Sequence, residues 1–591
     1  DHQFRVVARL RRGATLAQGL SEVDTIEKRL HNDHPDQTLG KGASIRRLLD
    51  EVVADYKTPL YILLAATGCF LLIACLNVAN LLVARSAARR RELAIRTALG
   101  GSRWRLLREQ VSESVVVSAL GGALGVAFAW LAVQWVIRVR HDIPRAEAIH
   151  IDASVLSFAI AITLLSGIAA GLLPALGASG TRILEALQES SRSHSGGQRR
   201  AQLRRLLLSV EVALTVMLMI AAGLLLKSYE RLRSSDLGCD TENVLTMRVS
   251  LPKPQYAQEQ RRAAFFEELI ARVRSLPAVQ QAALTTTIPG QGYGGDSPFS
   301  IVEHPPLLPG KFQLAIWRGV DPGYFSALGI PLLRGRSFTD AERLDHANVV
   351  IISNLTAKRY FPDEDPIGKH LRVPVPGHDG SYEIIGVAGD TRVRIFRPPE
   401  PMMYFPLYSG IFGGVSIAVR SQQDVNSLAL PIQKLIAEMD PDLPISDVLT
   451  MDQFLGNVTI NASFTATLVL GFALLSLFLA SIGLYGVLSY LVTQRTSEIG
   501  IRIALGAERT QVLRLVLIDG LRPAAIGLVF GLAGGALATR WIRSMLYGVQ
   551  PLDQSVFLAV TLLLSLVAMA GCLVPAWQAS RVNPMEALRS E

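Results

Sequence analysis

Seven apolar stretches of about 20 or more residues punctuate this chain, at Thr58–Ala84, Ser112–Ile137, Ser154–Leu176, Leu206–Leu226, Phe464–Val492, Val512–Ala538 and Ser555–Leu573. The hydrocarbon core of a bilayer is about 30 Å thick, and about 20 helical residues cross it. No water is available there, so every backbone N–H and C=O must find its partner within the segment, and such a stretch is a helix. Composition agrees. Half of the 591 residues are apolar and the mean hydropathy is +0.31, too apolar for an ordinary soluble chain. The expected class is a polytopic α-helical membrane protein.

The formal net charge is +9, but the arginines crowd the ends of the apolar spans, so the balance reflects membrane orientation rather than nucleic-acid binding. Arg85–Glu109 carries eight Lys/Arg against two acids, Gly177–Arg205 six against two, and Thr493–Arg514 four against two. The loop Arg138–Ala153 carries three of each sign. If the seven spans alternate, the three basic segments and the C-terminus share the cytoplasmic side. Residues 1–57 and the long segment 228–460 then lie outside, in the periplasm of a bacterium, with the spans in its inner membrane. Cys69, Cys75 and Cys572 lie within spans and Cys239 stands apart, so no disulfide framework or metal spacing follows. The chain opens without Met or a signal peptide, and Phe4-Arg5-Val6-Val7-Ala8-Arg9 reads as a strand already inside a domain. The expectation is a chain that lacks its N-terminal part.

Two distant regions repeat at an offset of 406 residues. Glu92-Leu93-Ala94-Ile95-Arg96-Thr97-Ala98-Leu99-Gly100 returns as Glu498-Ile499-Gly500-Ile501-Arg502-Ile503-Ala504-Leu505-Gly506. Arg108 maps to Arg514, Glu113 to Asp519, and Gly121-x-x-x-Gly125 to Gly527-x-x-x-Gly531. Later the offset slips to 401, where Pro174-Ala175 and Glu185-Ala186-Leu187 match Pro575-Ala576 and Glu586-Ala587-Leu588. Each unit reads as an external domain followed by three spans. The expected domains are a closing strand–helix–strand of a first external domain at 1–57, three spans at 58–190, a cytoplasmic linker and opening span at 191–227, a complete external domain at 228–460, and three further spans at 461–591. A span matching Leu206–Leu226 is expected upstream of residue 1.

The external segment mixes strand and helix. Asn243–Leu251, Val349–Ser353, Tyr382–Val387, Val415–Arg420 and Leu443–Leu449 read as strands, and Gln258–Leu276 and Ser421–Met439 as helices. This is an α/β domain of two lobes.

Enzyme chemistry finds no footing. No Gx4GK[ST] stretch occurs, and Gly290-x-Gly292-x-Gly294-Gly295 lacks the Lys-Ser/Thr that would meet phosphate and magnesium. No H-E-x-x-H pair or G-x-S-x-G elbow is present. His304, His346, His370 and His378 are scattered through polar loops. No catalytic residue, metal site or cofactor is therefore assigned. Glu92–Leu99 and Glu498–Leu505 are short, amphipathic and end at glycines suited to a helix C′ position. Each is either a solvated linker helix or a docking helix for a cytoplasmic partner, and two equivalent sites suit a two-fold partner. The glycine pairs Gly121/Gly125 and Gly527/Gly531 allow close helix approach in lipid, within one copy or between the halves. Of the acids in or near spans, Glu113 and Asp519 are read as ion-paired near Arg108 and Arg514, while Glu211 is an intramembrane acid and a functional candidate by default.

At these residues the chain resembles a known family. Glu498–Ala507 is similar to the cytoplasmic coupling-helix signature of FtsX-like permeases, which include MacB and the lipoprotein-releasing LolC and LolE. Pro584-Met585-Glu586-Ala587-Leu588 is similar to the family's ending. Gly335-Arg336-x-Phe338, Phe361-Pro362-x-x-Asp365-Pro366-Ile367-Gly368 and Ile385-Gly386-Val387-x-Gly389-Asp390 resemble a MacB-like periplasmic core, and the tandem arrangement resembles the duplicated permeases of acidobacteria. The first copy departs from the signature at Leu93-Ala94 and Gly101, and lacks Pro-Met before Glu185.

The resemblance implies a permease subunit of an ABC-type exporter. A separate ABC ATPase dimer would bind ATP and dock on coupling residues Glu92, Ile95, Arg96, Ala98, Leu99, Gly100, Glu498, Ile501, Arg502, Ala504, Leu505 and Gly506. Its stroke would move the periplasmic domains and expel a drug, peptide or lipid-type substrate, with a periplasmic adaptor as a further candidate partner. The alternative is an FtsX-like regulator of a periplasmic partner such as a cell-wall hydrolase. The size of the external domain favours transport.

Overall fold

The computed structural model describes residues 7–33, 44–88, 103–139, 150–178, 195–252, 255–292, 295–306, 313–344, 347–375, 378–407, 414–494, 501–502, 505 and 508–579. The chain divides into two compact units, Asp1–Lys57 with Tyr229–Asn461, and Thr58–Ser228 with Ala462–Glu591.

Among the described residues, the regular structure of the second unit is all helical. Six described helices are long and apolar enough to cross a membrane, over Tyr56–Asn80, Val111–Trp135, Gln202–Arg233, Met451–Ser489, Thr510–Met545 and Gln554–Gln578. The stretch Ser154–Leu176 lies in a 26-residue helix, Ala153–Ala178. Its side chains are described only as far as Ile168, so its described apolar part is the shorter Ala153–Ile168. The core of this unit joins both copies of the repeat. Ala66 and Ile73 come from the first copy, and Leu208, Val212, Val216 and Leu224 from the helix that opens the second. Ala473, Leu484, Val516 and Val560 come from the last three helices. Long apolar side chains such as Leu120, Leu124, Phe128, Phe530 and Trp541 point outward, the inverse of a soluble protein's surface and what lipid requires.

The first unit is mixed α/β, with eleven strands among the described residues. β1 (Val244–Ser250), β2 (Val279–Thr285), β10 (Gly414–Ser421) and β11 (Ile445–Thr450) form an antiparallel sheet in the order β11-β1-β10-β2. Alternate residues Leu245, Met247 and Val249 face two helices, Glu259–Arg274 and Ala429–Met439. Those helices return Phe266, Leu269, Ile270 and Val273, and Ile432 and Ile436, at spacings of three and four.

The remaining strands build a second core. β3 (Asp296–Ile301), β4 (Gln313–Val320), β6 (Val349–Ser353), β7 (His370–Val375), β8 (His378–Ala388) and β9 (Met402–Pro406) pair as β4-β3-β7-β8-β6-β9. β9 returns to β4 in parallel, which closes the ring. Closure removes free edges from the six strands. It also explains why β6 and β9 are buried at every position: each has a neighbour on both sides and a filled face above and below. The interior holds Phe299, Val350, Ile352, Leu371, Val373, Ile384, Met403 and Phe405. At about 1.5–3 kcal/mol for each large apolar side chain removed from water, this set dominates over the lobe's exposed ion pairs, worth about 0–1 kcal/mol each. Among the described residues β5 (Leu332–Gly335) pairs only with β8, and it stays exposed.

Residues 7–57 hold helices Leu16–Asp33 and Leu48–Val52. The helix of the strand–helix–strand expected for 1–57 is Leu16–Asp33; the two strands expected on either side of it fall largely on residues 1–6 and 34–43, outside the described residues.

Candidate functional site

The residues expected to form the coupling helices fall largely outside the described residues. Glu92, Ile95, Arg96, Ala98, Leu99 and Gly100 lie outside them, as do Glu498, Ala504 and Gly506. Ile501, Arg502 and Leu505 are described and exposed, Leu505 at 83%. The Leu505 N–H donates to the Ile501 carbonyl at 2.9 Å. Glu508, in extended conformation, then starts the Arg509–Ile542 helix. An exposed leucine in a basic segment between two spans is a natural contact for another surface.

The helix Arg509–Ile542 passes from this segment onto the most buried of the six described spans, within the helix Ser195–Arg233. Their contact is built from glycine. A Cβ on Gly527 would lie 2.5 Å from the Ser209 carbonyl oxygen and 2.8 Å from Val212 Cβ. On Gly531 it would lie 2.5 Å from Val216 Cβ and 2.8 Å from the Ala213 carbonyl oxygen. One turn further, Gly535 faces Ile220 Cδ1 at 2.6 Å. Spacing of four puts the three on one face, and the absence of side chains lets the backbones meet. The Ser209 hydroxyl adds a bond to the Pro523 carbonyl at 2.9 Å.

The twin pair behaves differently. A Cβ on Gly121 or Gly125 would meet nothing within 4 Å among the described residues. In the first copy the close contacts are instead Gly122 against Thr163, at 2.6 Å, and Gly167 against Ser118 and Val115. Gly121 and Gly125 are thus not the packing glycines among the described residues. Their face meets no helix there, whereas the equivalent face of the second copy meets Ser195–Arg233.

The same central helix is tied at both ends. Arg205 lies 3.8 Å from Asp519, so the partner of this acid includes an arginine on another helix rather than the nearby Arg514 alone. At the other end Lys227 Nζ reaches both Asp553 oxygens at 2.8 Å and the Ser555 hydroxyl at 2.7 Å. The Ser228 hydroxyl donates to the Met545 carbonyl and accepts from the Tyr547 N–H. Hydrogen bonds from Lys227 and then Ser555 hold the Asp553 carboxyl at about 2, below its ordinary 3.8. A depressed carboxyl stabilises the fold above its ordinary value, and the contribution is lost as pH falls through the folded value. Asp553→Asn is therefore expected to lower the melting midpoint at pH 7, with the gap to the parent narrowing as pH falls from about 4 toward 2. A gap constant with pH would refute the ion pair's role.

Midway along this helix, Glu211 is fully buried and accepts a hydrogen bond from Asn77 Nδ2 at 2.5 Å. The acid is visible in the sequence; its partner, 134 residues away, is not. In the first unit His370 Nδ1 and Glu303 meet at 2.9 Å, as do His304 Nε2 and Glu364. Among the described residues no three His, Cys, Asp or Glu side chains converge on one point.

Comparison with known proteins gives this arrangement a family. Residues 64–184 and 470–584 each match the FtsX-like permease C-terminal domain, and residues 212–435 match the MacB-like periplasmic core domain. The chain is 28% identical over 279 residues to the "Uncharacterized ABC transporter permease YknZ" of Bacillus subtilis, covering 46% of this chain and 69% of that protein. It is 28% identical over 277 residues to the "Macrolide export ATP-binding/permease protein MacB" of Marinobacter nauticus, covering 44% of this chain and 41% of that protein. The MacB of Aggregatibacter actinomycetemcomitans is 30% identical over 235 residues, covering 38% of this chain and 35% of that protein. The chain thus spans less than half the length of these MacB relatives. The crystal structure of the periplasmic region of MacB from Actinobacillus actinomycetemcomitans aligns with 37% of this chain and 95% of its own, at 19% identity and a TM-score of 0.26. By its domains, the chain belongs to the MacB- and FtsX-like ABC transporter permeases, with the FtsX-like unit present twice around one MacB-like core domain.

Proposed function

We propose that the chain couples ATP hydrolysis by a separate ABC ATPase dimer to movement of its MacB-like domain, and that this movement exports a drug, peptide or lipid-type substrate. The observation that carries the reading is the duplication. Two FtsX-like units in one chain offer two equivalent cytoplasmic segments, Glu92–Gly100 and Glu498–Gly506, to a partner that is itself two-fold. The described part of the second segment supports it, because Leu505 stands exposed beside Arg502 and Glu508. From there the Arg509–Ile542 helix rests on the central span without intervening side chains at Gly527 and Gly531. A rigid backbone contact of this kind passes on displacement rather than absorbing it. The spans sit in a bacterial inner membrane, with the MacB-like domain in the periplasm and a periplasmic adaptor as its candidate partner. ATP is bound by the partner subunit.

Orientation is the first test. In a chain whose four native cysteines are replaced, a cysteine at Ser381 in β8 is expected to react with a membrane-impermeant maleimide in intact spheroplasts. One at Thr510 is expected to react only after the membrane is opened. Labelling of Thr510 from outside would place the coupling segment on the wrong side for any cytoplasmic ATPase.

A further inference from the structure

The glutamate buried in the central span touches both copies of the repeat at one and the same repeat position. Glu211 Oε1 accepts from Asn77 Nδ2 at 2.5 Å, and the same amide reaches the Leu479 carbonyl at 3.2 Å. Glu211 Oε2 has no hydrogen-bond partner among the described residues. Beside them lies Gly483. A Cβ there would stand 2.6 Å from Asn77 Oδ1 and 2.9 and 3.0 Å from the two carboxyl oxygens of Glu211. At the 406-residue offset of the repeat, Gly483 is the counterpart of Asn77. Asparagine stands in the first copy where glycine stands in the second, and one carboxyl fills the space between.

The two residues are complementary because they differ. With asparagine in both copies, the second side chain would enter space already held by the first amide and the carboxyl. With glycine in both, the carboxyl would lose its only hydrogen-bond donor among the described residues. A buried polar group left without a partner costs about 1–3 kcal/mol. Buried polar groups that fit only one pairing set register at the expense of stability, as a single asparagine does in coiled coils. We propose that Asn77, Gly483 and Glu211 form a lock that pairs the two unlike copies of the repeat within one chain. The Asn-bearing span takes the Gly-bearing span of the same chain as its partner, and like does not pair with like. The lock is independent of what the chain transports.

The test is a swap in the full-length chain, purified in detergent and followed by melting midpoint and by cross-linking. Phe70 and Phe472, whose rings lie 5.7 Å apart across the same two spans, are replaced by cysteine in a background without other cysteines and joined by a short bismaleimide. Gly483→Asn alone is expected to lower the midpoint by about 5 °C or more and to reduce the intrachain cross-link. Adding Asn77→Gly vacates the overlapping space and lets the new amide reach Glu211 from the other side. The double variant should therefore regain at least half of the lost midpoint and the cross-link. Glu211→Leu, which leaves both twins untouched, should lower the midpoint by a similar amount, while Glu211→Gln should stay within about 2 °C of the parent. A double variant no better than Gly483→Asn alone, including failure of both to fold, would show that the twins act separately and overturn the lock. So would a Glu211→Leu chain that melts and cross-links like the parent.

Discussion

Replacing Gly531 with valine is expected to abolish recovery of folded chain from membranes. The argument is one of distance. The first carbon of any side chain at this position would stand 2.5 Å from the branched Val216 Cβ and 2.8 Å from the Ala213 backbone oxygen. Neither neighbour is the loose end of a flexible side chain, so relief requires the two helices to part. Inserting bulk into a packed core costs about 1–3 kcal/mol where side chains yield. Here parting also breaks the adjacent contact at Gly527 and strains the Ser209–Pro523 bond, against a whole-protein stability of about 5–15 kcal/mol. Gly535 offers an internal scale. Its neighbour is Ile220 Cδ1, the tip of a movable side chain, so Gly535→Ala should lower the melting midpoint by only a few degrees. The twin substitution Gly125→Val should leave recovery unchanged, because no described residue stands within 4 Å. Size-exclusion profiles of the three variants in detergent check the order. Equal loss for Gly125→Val and Gly531→Val would remove the distinction drawn between the two copies.

That distinction shows where the sequence stops being informative. Gly121-x-x-x-Gly125 and Gly527-x-x-x-Gly531 are alike in spacing, and spacing says only that a face is smooth. Which helix fills it depends on the fold, and in the first copy Gly122 rather than its neighbours makes the contact. The spans were legible because lipid imposes length and apolarity on each one separately. Strands β1, β6, β8, β10 and β11 were legible because they alternate, or because they form short β-branched runs such as Val349–Ser353. The ring strands β3 and β7 were not, since Pro298 and Pro374 read as breakers. β9 was hidden as well: Met402–Pro406 is buried on every side and shows no period. In the central span, Glu211 stood out as an acid in an apolar run. The asparagine that meets it and the glycine that makes room lie in two other spans, brought together only by the tertiary fold.

The second large effect is expected at the proposed coupling segment. Leu505 is described, 83% exposed and apolar, and its proposed role is to enter the surface of an ATPase subunit. Burying a leucine contributes about 1.5–3 kcal/mol. An aspartate in its place forfeits that and adds the cost of desolvating a charge. At 1.4 kcal/mol for each factor of ten, Leu505→Asp should weaken partner binding by about tenfold to a hundredfold or more. Membrane levels and melting midpoint should not change, because an exposed position carries little of the fold.

The most direct measurement is ATP turnover by a purified ABC ATPase subunit that binds this chain, titrated with the reconstituted permease in vesicles. The parent chain alone should hydrolyse no ATP, and adding it should change the subunit's turnover with saturation. Leu505→Asp should shift that saturation to at least tenfold higher permease concentration while its melting midpoint stays at the parent value. An unshifted titration with Leu505→Asp would contradict the assignment of this segment as the coupling surface, and turnover by the rigorously purified chain alone would contradict the separate ATPase.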